Sequence, residues 1–248
     1  MARKPGATND HFQVSGFPEN RKDFDVSKQL QRSGKTDSEA VEIGLRGAVV
    51  RDPSQREAQR QRALIAAASV FARQGYEAAT MNDIAKEFGV SKGVLYYQFR
   101  SKQELIMETR RAASGRAADR LEEIVKRPLP ALERMRQALN DLIAMNFDEL
   151  ARHVILTSLR FGLDQEYVDQ IRAVERRYEQ LLIALLEEGM AEGAFVKADS
   201  KLTAFTLIGA AMAPATWYHP DGQLSEAEII DGLTTQLLRS ITPSVVVD

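Results

Sequence analysis

Between Thr80 and Lys102 the chain reads TMNDIAKEFGVSKGVLYYQFRSK, which leaves few folds open because two short helical stripes flank a turn of three or four residues. Thr80 is a hydroxyl N-cap for a helix through Ile84, Ala85 and Phe88, with Asp83 three residues on as a short version of the capping-box acid. Gly89 stops that helix, since glycine enters the left-handed region at little steric cost. Ser91 caps the next one, in which Val90 before it and Leu95 after it can pack back on the core. Two helices joined this closely make a helix-turn-helix.

The second helix presents chemistry suited to reading a groove. Lys92 offers a cation, Gly93 a close backbone approach, Val94 an apolar contact for a thymine methyl, and Tyr96, Tyr97 and Gln98 hydrogen-bonding tips. Ser101 caps a third helix whose first turn holds Lys102 against the helix dipole, so a nearby phosphate accounts for Lys102 better than folding does. A bare hairpin core explains Ile84, Leu95 and Phe99 and leaves Lys92, Tyr96, Tyr97 and Lys102 without a role.

The net charge of −2 is unevenly spread. Residues 1–53 carry 9 basic and 8 acidic groups, residues 54–105 carry 8 and 5, and residues 106–248 carry 16 and 22. Positive charge is concentrated at the motif, where attraction to phosphate would be doubled by dimerisation.

The 248 residues divide into three expected parts. Residues 1–53 are rich in Gly, Ser, Asn, Asp and Lys without a sustained apolar face and read as a disordered extension, a DNA-contacting arm or an overlong gene start. Residues 54–102 form a three-helix domain, whose first helix carries Leu64, Ala67, Ala68 and Phe71 at helical spacing, has Arg60 and Arg62 within reach of a phosphate, and ends at Gly75. Residues 103–248 form a helical body. A long helix from Lys102 stops before Pro128 and Pro130, and Leu132, Met135, Leu139 and Leu142 form the next stripe. Another helix runs through Leu156 to Gly162. Tyr167, Ile171, Val174, Tyr178, Leu181 and Leu185 give the clearest repeat, ended at Gly189 and Gly193. A helix with Leu202, Phe205 and Gly209 ends or kinks at Pro214, and the last carries Ile230, Leu233, Leu237 and Ile241. No stretch alternates like a strand, so the fold class is all-α, with about nine helices expected from the repeats.

The absence of cysteine excludes disulfides, thiolate metal sites and cysteine nucleophiles. His11, His153 and His219 have no partners at metal-ligand spacing, and there is no phosphate loop, dinucleotide fingerprint or nucleophile elbow. The expectation is therefore no enzyme, no cofactor and no metal. No eighteen-residue apolar run is present, so the reading is a cytoplasmic protein without a membrane span.

From Arg60 to Leu105, and above all in GYEAATMNDIAKEF and GVSKGVLYYQFRSKQEL, the chain resembles the TetR family of bacterial transcriptional regulators. One departure is Gln98, where the family more often has His or Tyr touching a phosphate. The resemblance implies that Thr80, Ser91, Lys92, Gly93, Val94, Tyr96, Tyr97, Gln98 and Lys102 meet double-stranded DNA at a near-palindromic operator. It also implies that the last two helices of each subunit build a homodimer through Leu202, Phe205, Gly209, Ile230, Leu233 and Leu237, and that the helices before them enclose an effector. The segment WYHPDGQLSEAEI is similar to one found in members answering to acyl-CoA thioesters and related lipid or aromatic acids. This makes Phe147, His153, Leu156, Phe161, Tyr178 and Trp217 candidates to line a pocket for a small hydrophobic effector; for His153, and for Trp217 with Tyr218, plain packing is the rival reading. Three functions stay open: a ligand-responsive homodimeric repressor, a DNA-binding regulator controlled by a protein partner, and a helical ligand-binding protein that does not bind DNA.

Overall fold

The structure, a computed structural model, describes residues 53–157 and 163–243. The expected extension 1–53 thus falls almost wholly outside the described residues, as does Phe161; the helix expected to run to Gly162 instead stops at Leu156, where Thr157 takes an extended conformation. Among the described residues all regular structure is helical: α1 (Pro53–Gln74), α2 (Met81–Phe88), α3 (Lys92–Gln98), α4 (Lys102–Val125), α5 (Ala131–Ala144), α6 (Glu149–Leu156), α7 (Gln165–Ala191), α8 (Ser200–Met212), α9 (Pro214–Trp217) and α10 (Glu226–Ile241).

Local chemistry sets most of these boundaries. Thr80 and Asp83 form a full capping box, the Asp83 amide donating to the Thr80 hydroxyl and the carboxylate accepting from the Thr80 amide. Ser225 and Glu228 repeat it at the start of α10. Gly75, Gly89 and Gly193 adopt positive φ of about 80°, the left-handed conformation that ends a helix. Pro214 opens the four-residue α9 immediately after α8, where its missing N–H costs nothing.

Gly189 behaves differently from its expected role as a stop. It lies inside α7, which runs on to Ala191, and a Cβ there would sit 2.1 Å from the Phe195 ring. The residue is small because a fully buried phenylalanine packs against the helix backbone, and Gly193 alone turns the chain.

A continuous core joins the head, α1–α3, to the body. Leu64, Phe71, Ile84, Leu95 and Phe99 are buried together with Leu105 and Ile106 at the start of α4, each contributing on the order of 1.5–3 kcal/mol from apolar burial. Farther on, α4 packs along α7 and also meets α5 and α6. Helix α6 lies against α1, so the body touches the head through α6 as well as through α4. Leu132 departs from its predicted stripe: it is exposed, and Ala131, Arg134, Met135 and Ala138 supply the buried face of α5. Arg134 is held there by the carbonyls of Val125 and Leu129 and the carboxylate of Glu188, satisfying a cation that would otherwise be costly to bury.

Candidate nucleic-acid interface and internal cavity

Helix α3 is short because it is capped at both sides by what surrounds it: Ser91 accepts from the Val94 amide, and Phe99 leaves the helix in an extended conformation with its ring buried. Only Leu95 of α3 is buried. Lys92, Gly93, Val94, Tyr96 and Tyr97 face solvent, Tyr97 with 88% of its surface free, and Gln98 is half-buried beside them. The Lys92 ammonium lies 5.6 Å from the centre of the Tyr96 ring, so cation and aromatic share one patch.

Gly93 is the informative residue of this face. A Cβ there would meet nothing nearer than the Ser91 hydroxyl at 3.9 Å, and its φ is not positive. Folding therefore gives no reason for glycine inside a helix, where it costs roughly 0.5–1 kcal/mol relative to alanine. An external body approaching the backbone closely does give one.

Thr80 and Ser91 are placed at helix starts, with their hydroxyls engaged in capping. Lys102 corrects the phosphate argument. Its ammonium donates to the carbonyls of Tyr76, Glu77 and Ala79 at 2.7, 3.1 and 2.9 Å and stands over the Tyr76 ring. The turn after α1 leaves these oxygens without helical partners, and one lysine satisfies all three. Burial lowers the Lys102 pKa and raises that of Tyr76 to about 12. Arg60, also a phosphate candidate, is spent on Glu108 at 2.5 Å and on the Phe99 ring; Arg62 remains exposed.

In the body, two adjoining cavities of about 230 Å³ each share Arg110, Ser114 and Glu175 in their walls. The inner one is bounded by α4, α5, α6, α7 and α8 and is mostly apolar, through residues such as Ala117, Leu142, Met145, Val154, Ile155, Ile208 and Met212, with Tyr178 among them. The outer one lies between α4 and α7. Arg110 crosses the boundary, donating to Glu175 at 3.1 Å and to the Thr157 carbonyl at 2.6 Å. Burial lowers its pKa against the pull of Glu175.

Comparison with known proteins bears on both parts. Residues 63–109 match the model of bacterial regulatory proteins of the tetR family, and residues 128–241 match a tetracyclin repressor-like C-terminal domain. The HTH-type transcriptional repressor KstR2 of Mycolicibacterium smegmatis is 28% identical over 77% of this chain and 95% of its own length. The chain belongs to the TetR family. It is thus one of a family of DNA-binding transcriptional regulators rather than of enzymes. Among TetR-family structures, the ketosteroid regulator KstR2 of Mycobacterium tuberculosis superposes with a TM-score of 0.67, at 24% identity, over 75% of this chain and 96% of that one. FadR of Bacillus subtilis in complex with stearoyl-CoA does so with 0.58, at 23%, over 72% and 97%.

Against this TetR-type body, the predicted pocket residues scatter. Tyr178 lines the inner cavity. Phe147 instead packs edge-on against Tyr218, ring centres 4.8 Å apart, and Leu156 is half-buried outside the cavity wall. Trp217 is exposed on α9. His153 is buried near Arg152, Arg73 and Glu87, where α6 meets the head, and desolvation lowers its pKa from 6.5 to about 4. The reason is geometric: periodicity names the inward face of a helix, but only the packing of five helices says which part of that face meets a void.

The predicted dimer residues divide more cleanly. Leu202 and Phe205 are 67% and 43% exposed, and Gly209, one further turn along α8, opens onto free space. Ile230 and Leu233 of the adjacent α10 are half-buried. Leu237 is the correction: it is only 8% exposed, buried in the protomer core with Leu238 and Ile241, because α10 packs that side on α5.

Sequence reasoning passed over two polar residues, one buried and one half-buried. Asn146, fully buried, donates to the carbonyls of Ile143 and Ala211 and accepts from the Ala215 amide, pinning the α5–α6 turn to the α8–α9 junction. Arg110 looks in sequence like one more helical surface arginine beside Glu108 and Arg111.

Proposed function

We propose that the protein is a homodimeric repressor, which holds a near-palindromic operator with two α1–α3 heads and releases it when an apolar carboxylic acid or its acyl-CoA thioester enters the body. The exposed, glycine-bearing face of α3 supports the DNA contact, made by Lys92, Gly93, Val94, Tyr96, Tyr97 and Gln98. Exposed Leu202, Phe205 and Gly209 support the dimer. They form an apolar stripe that a second copy of α8, together with α10, would cover in a four-helix interface.

The observation that carries the regulatory part is the course of α4. It starts inside the head, with Lys102 fastened to head carbonyls and Leu105 in the head core, and then forms a wall of the apolar cavities. A molecule that fits the cavity best when α4 is displaced also respaces the heads, and a coupling of about 2–3 kcal/mol changes operator affinity some 30- to 150-fold. An apolar cavity with a few polar groups is the usual form of such a site, and B. subtilis FadR holds stearoyl-CoA within this fold.

A gel-shift titration with the promoter beside the protein's own gene tests the reading. The expected result is a dimer-stoichiometric shift that weakens steeply with salt and is reversed by acyl-CoA esters or free acids. A salt-independent shift would end the phosphate-contact account. A shift that no acid or thioester reverses would point to control by a protein partner.

A further inference from the structure

Arg110 carries an unmet demand. Its Nη atoms reach Glu175 on α7 and the carbonyl of Thr157 at the end of α6, but its Nε is buried and meets no acceptor among the described residues. A buried N–H without a partner is rare and costly. Here it belongs to a residue lining both cavities, whose side chain is only 16% exposed whereas that of Glu175 is 40% exposed. Glu175, its ion-pair partner, is the more solvated of the two, so the group lacking satisfaction is the Arg110 donor, and what would satisfy it is an oxygen acceptor.

We propose that Arg110 is the head-group anchor of the effector and the residue through which its arrival is felt. The ligand places an apolar chain in the inner cavity, against Leu142, Met145, Val154, Ile155 and Ile208, and a carboxylate or thioester carbonyl on the Arg110 guanidinium. This rests on the acid or thioester reading above and deepens it. Arg110 ties three elements: its own helix α4, which begins in the head; α7 through Glu175; and the end of α6, which packs on α1 of the head. An incoming oxygen competes with the Thr157 carbonyl and with Glu175 for the same planar donor set. Loosening the first contact frees α6 from α4, the two elements by which the body grips the head.

The test measures binding of decanoate, decanoyl-CoA and, as a cationic chain of the same length, decyltrimethylammonium to the full-length protein by calorimetry, with operator release followed in parallel. Wild type is expected to bind decanoate or decanoyl-CoA and not the ammonium compound. Arg110→Gln should weaken that binding at least tenfold and abolish release while still shifting operator DNA, and Arg110→Lys should keep part of both. Glu175→Gln removes the competing charge and leaves Arg110 in place. It should tighten decanoate binding several-fold, which a purely structural role for the pair would not produce, and it serves if Arg110→Gln fails to fold. Wild-type binding that neither Arg110→Gln nor Glu175→Gln alters would overturn the anchor alone and leave the effector reading standing. Preference for decyltrimethylammonium, or no binding of any chain, would overturn both.

Discussion

The exposed face of α3 and the cavity of the body use side chains in opposite ways. On α3 the candidate DNA contacts take almost no part in folding: Tyr97 is nearly free, and Gly93 stands where a Cβ would meet no clash. In the body, the cavity is lined by residues that also hold the helices together, so that Leu142 and Met145 belong at once to core and pocket. A surface site can therefore be altered without disturbing stability, whereas an internal site is entangled with it. This separability is itself testable.

The largest effect is expected from the face of α8. Phe205→Glu, alone or with Leu202→Asp, should give folded monomers by sedimentation and lower operator affinity at least ~100-fold, since two linked heads gain about that much over one. A variant that remains dimeric with native affinity would remove α8 from the interface. Next comes Gly93→Ala, which should weaken operator binding roughly tenfold or more, the scale of one lost groove contact, yet raise stability by about 0.5–1 kcal/mol in chemical denaturation. Opposite signs in the two measurements are the signature of a residue kept for an external partner; equal operator affinity would sink that account.

Lys102→Met blurs the comparison on purpose, because this residue sits at the DNA-facing end but satisfies three carbonyls. A stability loss of about 2 kcal/mol is expected, and an unchanged unfolding midpoint would return Lys102 to a purely phosphate-binding role. The effect of His153 shows only on acidification. Unfolded, it takes up a proton near 6.5; folded, burial delays this to about 4. Between those values the unfolded state binds more protons, so the stabilising contribution is present above 6.5 and drains away on acidification, by about 1–2 kcal/mol at pH 5. His153→Gln should flatten this slope in denaturation curves from pH 7 to 5, and a parallel slope would assign the acid sensitivity elsewhere.

How much could be read beforehand follows the same division. The capping box at Thr80, the left-handed Gly89, the cap at Ser91 and the proline at the start of α9 are decided within a few residues, and each stands in the structure as the local sequence implies. The stripe of α7 was legible in part: Ile171, Tyr178 and Leu185 are buried as their spacing implies, whereas Tyr167, Val174 and Leu181 are half-buried and Leu182 and Leu186 share the buried face. Gly189 misled because a helix stop and a close contact call for the same residue, and Phe195 lies six positions away.

What the chain determines alone, then, is its all-helical class and its head with the α3 face, since these rest on caps, turns and periodicity acting over short range; the TetR kinship is carried by the particular residues of the motif and by the family match. Only tertiary packing decided that Lys102 faces three carbonyls, that Leu237 turns into the protomer while Leu202 and Phe205 turn out, and that Arg110 lies beside a void with one N–H unsatisfied. Those outcomes depend on where helices distant in sequence cross, and helical periodicity, which repeats every 3.6 residues, specifies a face without specifying what that face will meet.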